Sequence, residues 1–206
     1  MYSSRPGLIL GFHGCDKSIV PKVVAETQQL KFKENSFDWL GHGAYFWEHS
    51  PSRAFEYADA ISKNSIKSRR TIKAAAVIGA VIDLGHCLDL LDYKNLSEVK
   101  DAYEFLLATY KNAGFKLPRN RAPKNSSSDL LLRDLDCAVI ETVHKTRKDK
   151  DFREYDSVRG VFWEGQVLYE NAGFREKDHI QICIRNPNCV KGFFIPRVLD
   201  ADHSAV

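Results

Sequence analysis

The longest apolar run in this chain, Ala74 to Leu84, is broken by Gly79 and Asp83 and stops short of the roughly 18 residues a membrane-spanning helix needs. Such a run has to be buried in protein. The surrounding stretch, Thr71 to Leu84, is rich in Ala, Val and Ile, which predicts a central strand. Leu8 to Phe12 predicts a second buried strand, ending at His13-Gly14. A brief strand is expected over Ala44 to Trp47, and short strands over Gly160 to Trp163, His179 to Arg185 and Gly192 to Ile195.

Helices are expected between these strands. Ser18 predicts the cap of a helix running to about Gln29, with Pro21 tolerated in its first turn. Ser50-Pro51 opens another, with Ala54, Phe55, Ala58 and Ile61 on one face, fading near Asn64. Asp89 to Asn112 reads as mostly helical, with Ser97 capping its main part. Asp129 to Thr146 carries Leu132, Leu135, Val139 and Val143 at helical steps. Asn35 to Gly43, Lys116 to Ser128 and Lys145 to Tyr155 read as loops. The sum is an α+β domain with mixed sheets, residues 1–206, with a helical and loop insertion near 89–156.

The N-terminal apolar stretch Leu8-Ile9-Leu10 is shorter than a signal-peptide core and has no small-residue cleavage site after it, so a cytoplasmic protein without membrane contact is expected. The five cysteines form no C-x-x-C pair, which points to reduced, mostly buried thiols rather than a disulfide framework or zinc site. Net charge is only +3, so no whole-chain nucleic-acid signature exists. Positive charge is clustered, however. One group holds Lys63, Lys67, Arg69, Arg70 and Lys73, a second Lys116, Arg119, Arg121 and Lys124, and a third Lys145, Arg147, Lys148, Lys150 and Arg153. Such clusters can track phosphates, or can be solvated helix ends. No P-loop and no G-x-G-x-x-G after a strand is present, which speaks against a redox dinucleotide enzyme.

Chemistry concentrates in two motifs. The first is Gly11-Phe12-His13-Gly14; the second is Gly41-His42-Gly43-Ala44-Tyr45-Phe46, followed by Arg53-Ala54-Phe55-Glu56-Tyr57-Ala58. This combination resembles the ADP-ribosyltransferase superfamily, in the branch of diphtheria toxin and the poly-ADP-ribose polymerases. The resemblance implies mixed and antiparallel sheets forming a split NAD cleft flanked by helices, with NAD as a substrate and no metal. It implies that His13 hydrogen-bonds a ribose hydroxyl and that the Gly14 backbone grips the nicotinamide amide. Tyr45 would stack on the nicotinamide ring and Tyr57 would cover its other face. Gly41 and Gly43 would let the loop approach the ligand.

The family's third landmark is an acidic residue on a late strand, which orients the ribose and stabilises an oxocarbenium ion. Here that place holds Gln181, in His179-Ile180-Gln181-Ile182-Cys183-Ile184-Arg185. A glutamine can hydrogen-bond the ribose but carries no charge. Glu164, in Val161-Phe162-Trp163-Glu164-Gly165-Gln166, is the alternative carboxylate, with Arg159 either pairing it or holding the pyrophosphate of NAD. The expected activity is mono-ADP-ribosylation of a macromolecule, RNA or DNA slightly ahead of protein. It would belong to a toxin or phage-defence effector restrained by an antitoxin. The alternatives are an NAD-dependent RNA 2′-phosphotransferase and an NAD-binding module that has lost catalysis.

Overall fold

The computed structural model describes residues 7–63, 72–123, 129–198 and 201–202. Asn64, Lys67, Arg69, Arg70, Thr71, Lys124 and Ser128, at the ends of expected elements or in the basic clusters, lie outside the described residues. The described residues form an α+β protein with four helices, a seven-stranded mixed sheet and a small hairpin.

The strands of the sheet are β1 (Ile9–Asp16), β2 (Ala44–Glu48), β3 (Ala75–Ile82), β4 (Cys87–Asp89), β7 (Ser157–Phe162), β8 (His179–Ile184) and β9 (Val190–Phe194). Their order is β4-β7-β8-β2-β1-β3-β9. All neighbours are antiparallel except β4 and β7. The hairpin joins β5 (Asn120–Arg121) to β6 (Leu132–Arg133).

Pairing is uneven across the sheet. β1 runs along β3 from Ile9↔Ile82 to Asp16↔Ala75, but meets β2 only at Gly11↔Glu48 and Phe12↔Trp47. The sheet therefore splits into two halves that share a short joint and part beyond Phe12. The apolar run expected to be central is β3, with Ile78, Ala80 and Ile82 fully buried. Phe46, Ile182 and Ile184 complete the main core on that face. Burying each such side chain contributes about 1.5–3 kcal/mol.

The helices cover the sheet unevenly too. α2 (Pro51–Lys63) packs on β1 and β3, with Ala54 and Ala58 fully buried. Its contact is close: a Cβ at Gly14 would sit 2.1 Å from the Ala54 carbonyl oxygen. Gly14 is thus required by strand–helix packing, and Ala54 and Ala58 are small for the same reason. Phe55 was expected on their face but is exposed. α4 (Asp134–Asp149) buries Cys137, Val139, Ile140 and Val143 against the other half-sheet, with Leu40, Leu88, Val158 and Cys183. α3 (Tyr93–Asn112) packs on α4.

Several boundaries differ from expectation. The helix expected from Ser18 to Gln29 shrinks to a 3-10 turn, Lys17–Ile19, and α1 (Val20–Val24). Asp16 caps that turn, accepting from the Ser18 backbone N–H, and Glu26 at φ 57 ends the helical path. α3 is capped by Asp92 rather than Ser97. α4 starts later than Asp129 because Leu132 and Arg133 pair with the preceding hairpin strand. It then continues through Asp149, into the stretch read as a charged loop.

All five cysteines are free, four of them buried and Cys87 half-buried, as their spacing suggested. Among the described residues no helix is long and apolar enough to cross a membrane.

Candidate functional site

Where β1 and β2 part, a cavity of about 830 Å³ opens. That is within the ~300–1,000 Å³ of ordinary small-molecule sites. His13, Gly43, Tyr45, Tyr57, Glu164 and Gln181 all line it. Residues far apart in sequence are brought together by the sheet order, which sets β1, β2 and β8 side by side and leaves Glu164 on the turn after β7.

His13 stands at the joint. Its Nδ1 lies 2.7 Å from the Tyr45 carbonyl oxygen, on the part of β2 that β1 no longer pairs. A carbonyl can only accept, so Nδ1 donates and carries the proton. Nε2 is then left as a bare acceptor, suited to a hydroxyl donor. Burial, working against that hydrogen bond, lowers the His13 pKa to about 4, so the ring is neutral near pH 7.

Tyr45 lends its ring to the cavity and its hydroxyl to the loop beneath. The hydroxyl accepts from the Leu40 backbone N–H at 2.9 Å and donates to the Gly41 carbonyl at 2.8 Å. With both bonds made inside the protein, the hydroxyl is already engaged. Tyr57 lies against Trp47, with ring centroids 5.1 Å apart, and Trp47 also lines the cavity.

Gln181 is oriented by a residue that the sequence did not single out. Trp39 Nε1 donates to Gln181 Oε1 at 2.6 Å. An indole N–H only donates, so the oxygen must face it, and the amide NH₂ points elsewhere as a donor. Room for the indole comes from Gly160, directly opposite Gln181 on β7, where a Cβ would sit 2.6 Å from the Trp39 ring. Trp39 also packs edge-on against Phe162, and the Arg133 guanidinium lies over both rings.

Glu164 is half-buried and pairs with Arg53, Nη2 to Oε2 at 2.7 Å. Burial raises its pKa, and the Arg53 charge opposes that rise. Arg53 also reaches Glu56 at 2.5 Å, and Lys177 bonds the other Glu56 oxygen. Arg53, Glu56 and Lys177 line the same cavity. The Arg53-Glu56 stretch was visible as sequence, but its pairing with Glu164 depends on tertiary packing.

Four expected roles need correction. Arg159 neither lines the cavity nor pairs Glu164. It is 3 % exposed, its fork closed by Glu48 at 2.5 and 3.0 Å and by Asp89 at 3.2 Å. A guanidinium held that way has no fork left for a pyrophosphate. Gly14 is also not among the lining residues; its missing side chain is explained by α2. Gly43 lines the cavity, but its missing Cβ makes room for β8, 2.3 Å from the Ile184 carbonyl oxygen. Gly41, at φ +82, likewise abuts Glu141 rather than open space.

The described members of the first and third basic clusters do not line the cavity, where the cations are Lys31, Lys33, Arg53 and Lys177. The described members of the second do not line it either, although Pro123, two residues beyond Arg121, does, and Arg121 pairs with Asp134. In the third cluster Arg147 is taken up by Glu98 and Lys145 by Asp149. Among the described residues no group of three His, Cys, Asp or Glu is placed to share a metal ion.

Two further histidines share the buried, neutral state of His13. Burial lowers the pKa of His144 to about 3 and of His179 to about 4. In the unfolded chain all three titrate near ~6.5. Between about pH 4 and 6.5 the unfolded chain thus binds more protons, so stability rises with pH there and levels off above. The melting temperature is expected to climb through that window and plateau near neutrality; a melting temperature already flat between about pH 5 and 7 would contradict the three buried neutral rings.

Comparison with family models, with curated proteins and with solved structures finds no match to this chain. The functional reading therefore rests on the motifs and on the geometry of the cleft.

Proposed function

We propose that the chain is an NAD-dependent mono-ADP-ribosyltransferase. One observation carries the reading: His13, Tyr45, Gln181 and Glu164, scattered from one end of the sequence to the other, line a single cavity at the split in the sheet. In the resembling family a split of this kind holds NAD.

The roles follow from the groups each residue presents. The Tyr45 ring gives the nicotinamide a flat face. His13 Nε2 accepts from a ribose hydroxyl. The Gln181 amide, turned by Trp39, donates to a ribose oxygen. The bond between the nicotinamide ring nitrogen and ribose C1′ breaks, and its electron pair leaves with neutral nicotinamide. C1′ becomes an oxocarbenium centre, whose charge the Glu164 carboxylate stabilises. The acceptor attacks C1′ and gives up its proton to Glu164.

The acceptor is a macromolecule, with nucleic acid slightly ahead of protein because basic clusters in the sequence could track phosphates. A cytoplasmic toxin or defence effector restrained by a protein antitoxin is the setting we infer for such a transferase. The RNA 2′-phosphotransferase reading needs several free arginines around a phosphate. Among the described residues Arg53 is the arginine lining the cavity, and two carboxylates already hold it. An NAD-binding module without catalysis would bind the dinucleotide and release no nicotinamide.

NAD labelled in its adenylate part, incubated with the protein and either purified RNA and DNA or a protein extract, tests the reading. Label joined to nucleic acid is expected. Label on protein alone ends the nucleic-acid version, and label on neither, without nicotinamide release, ends the transferase. Gln181→Glu is the informative substitution at the late strand. Trp39 can bond a carboxylate as well as an amide, so the side chain keeps its place. Turnover is expected to change by less than about tenfold if Glu164 supplies the charge; a gain of about a hundredfold or more would show that the site lacks one.

A further inference from the structure

We propose that Arg53 is a positioning residue for the reaction assigned above: it aims Glu164 into the cleft and keeps it ionised, as the hub of a chain of charges running Lys177–Glu56–Arg53–Glu164. This rests on the transferase reading and extends it to a residue that need not touch the substrate.

The chain spans the cleft. Arg53 and Glu56 lie at the start of α2, whereas Glu164 and Lys177 flank the segment between β7 and β8. Arg53 holds Glu164 through one nitrogen at 2.7 Å and Glu56 through the other at 2.5 Å. Glu56 is shared with Lys177. A lysine at position 53 offers a single ammonium and could not fork between two carboxylates in this way. The arginine gives up something to do so: its Nε is buried and has no partner among the described residues. An unmet donor of that kind is costly, so the arrangement is not the one that packing alone would favour.

Arg53 and Glu164 keep only 16 % and 21 % of their side chains exposed, so their attraction is weakly screened. The other groups around Glu164 do not replace it. From α2 Glu56 faces it with the same sign. Before β8, Lys177 adds a second positive charge of smaller effect, while Asp178 accepts the Glu164 backbone N–H. From the segment before β6, Asp129 accepts the Gly165 N–H and pairs with Arg175. Burial, Glu56 and Asp129 all favour the protonated acid; Arg53, ahead of Lys177, favours the carboxylate. Without Arg53 the balance tips toward a neutral acid that can neither stabilise a cation nor take a proton.

The test follows nicotinamide release from NAD across pH in wild type, Arg53→Met and Arg53→Lys, with NAD affinity measured separately. For Arg53→Met turnover at neutral pH is expected to fall about tenfold or more, with NAD affinity within about threefold. The midpoint of the acidic limb is expected to move up by about one pH unit. Arg53→Lys should restore part of the turnover and move the midpoint less, in the same direction. It also carries the test should the methionine variant fail to fold. A loss of amplitude with the midpoint unmoved in every folded variant would mean a structural role and overturn the proposal. Wild-type protein that releases no nicotinamide would overturn the transferase reading itself, a different and separable outcome.

Discussion

Arg159→Met is expected to cost the fold about 3–5 kcal/mol, more than any surface substitution in this chain. Glu48 and Arg159 are almost fully buried, and Asp89 is partly so. Removing the guanidinium takes away the positive charge that two neighbouring carboxylates share, and the Glu48 carboxylate is buried where water replaces that charge poorly. The methionine fills much of the vacated volume, so the loss reports charge rather than a hole. Chemical unfolding of wild type and variant gives the difference directly. Removing the carboxylates as well, in Arg159→Met with Glu48→Gln and Asp89→Asn, should recover much of it. A loss under about 1 kcal/mol would mean that the three groups are hydrated and that the cluster does not tie β7 to β2 and β4.

Glu164→Gln carries the largest expected effect on activity. On the proposed reading, nicotinamide release falls by about a hundredfold to a thousandfold, the scale seen when one stabilising group is withdrawn from a developing charge. NAD affinity should hardly change, because the charge matters only once the glycosidic bond stretches. The substitution is nearly isosteric, and the amide can still accept from Arg53, so the cleft keeps its shape. Turnover within about twofold of wild type would move Glu164 to a structural role beside Arg53 and leave Gln181 as the remaining candidate on the late strands.

Much of the site was legible in the sequence because it sits on short, ordered motifs. His13-Gly14, which lies inside β1 rather than at its end, a Gly43-Ala44-Tyr45 entry into the next strand and Gln181 in a late strand each mark a position the sheet then aligns. What stayed hidden depends on register and on long-range packing. Trp39 sits in a loop without periodicity, and only Gly160 lying opposite Gln181 shows why it fits there. Arg159 looked like a ligand-binding arginine because its partners, Glu48 and Asp89, come from strands whose neighbours the sequence does not specify. Gly14 looked like a ligand contact for a similar reason: the same missing side chain serves a helix packed on a strand.

Helix ends failed where two local signals competed. Asp16 and Ser18 both offer a capping oxygen, and Asp16 wins by also accepting the N–H groups of Lys73 and Ala74. Leu132 continues the helical spacing of α4, yet its backbone pairs with Arg121 instead. In both places tertiary hydrogen bonds decided between readings of nearly equal local merit.

Titration of the purified protein with NAD, followed by tryptophan fluorescence, tests the central claim most directly. Trp39 and Trp47 line the cavity, while Trp163 is largely exposed outside it, so a ligand in the cleft must change the signal. A saturable change is expected, with affinity reduced about fivefold to tenfold in His13→Ala. A folded protein whose emission ignores NAD, or a titration that His13→Ala leaves untouched, would contradict the assignment of this cleft.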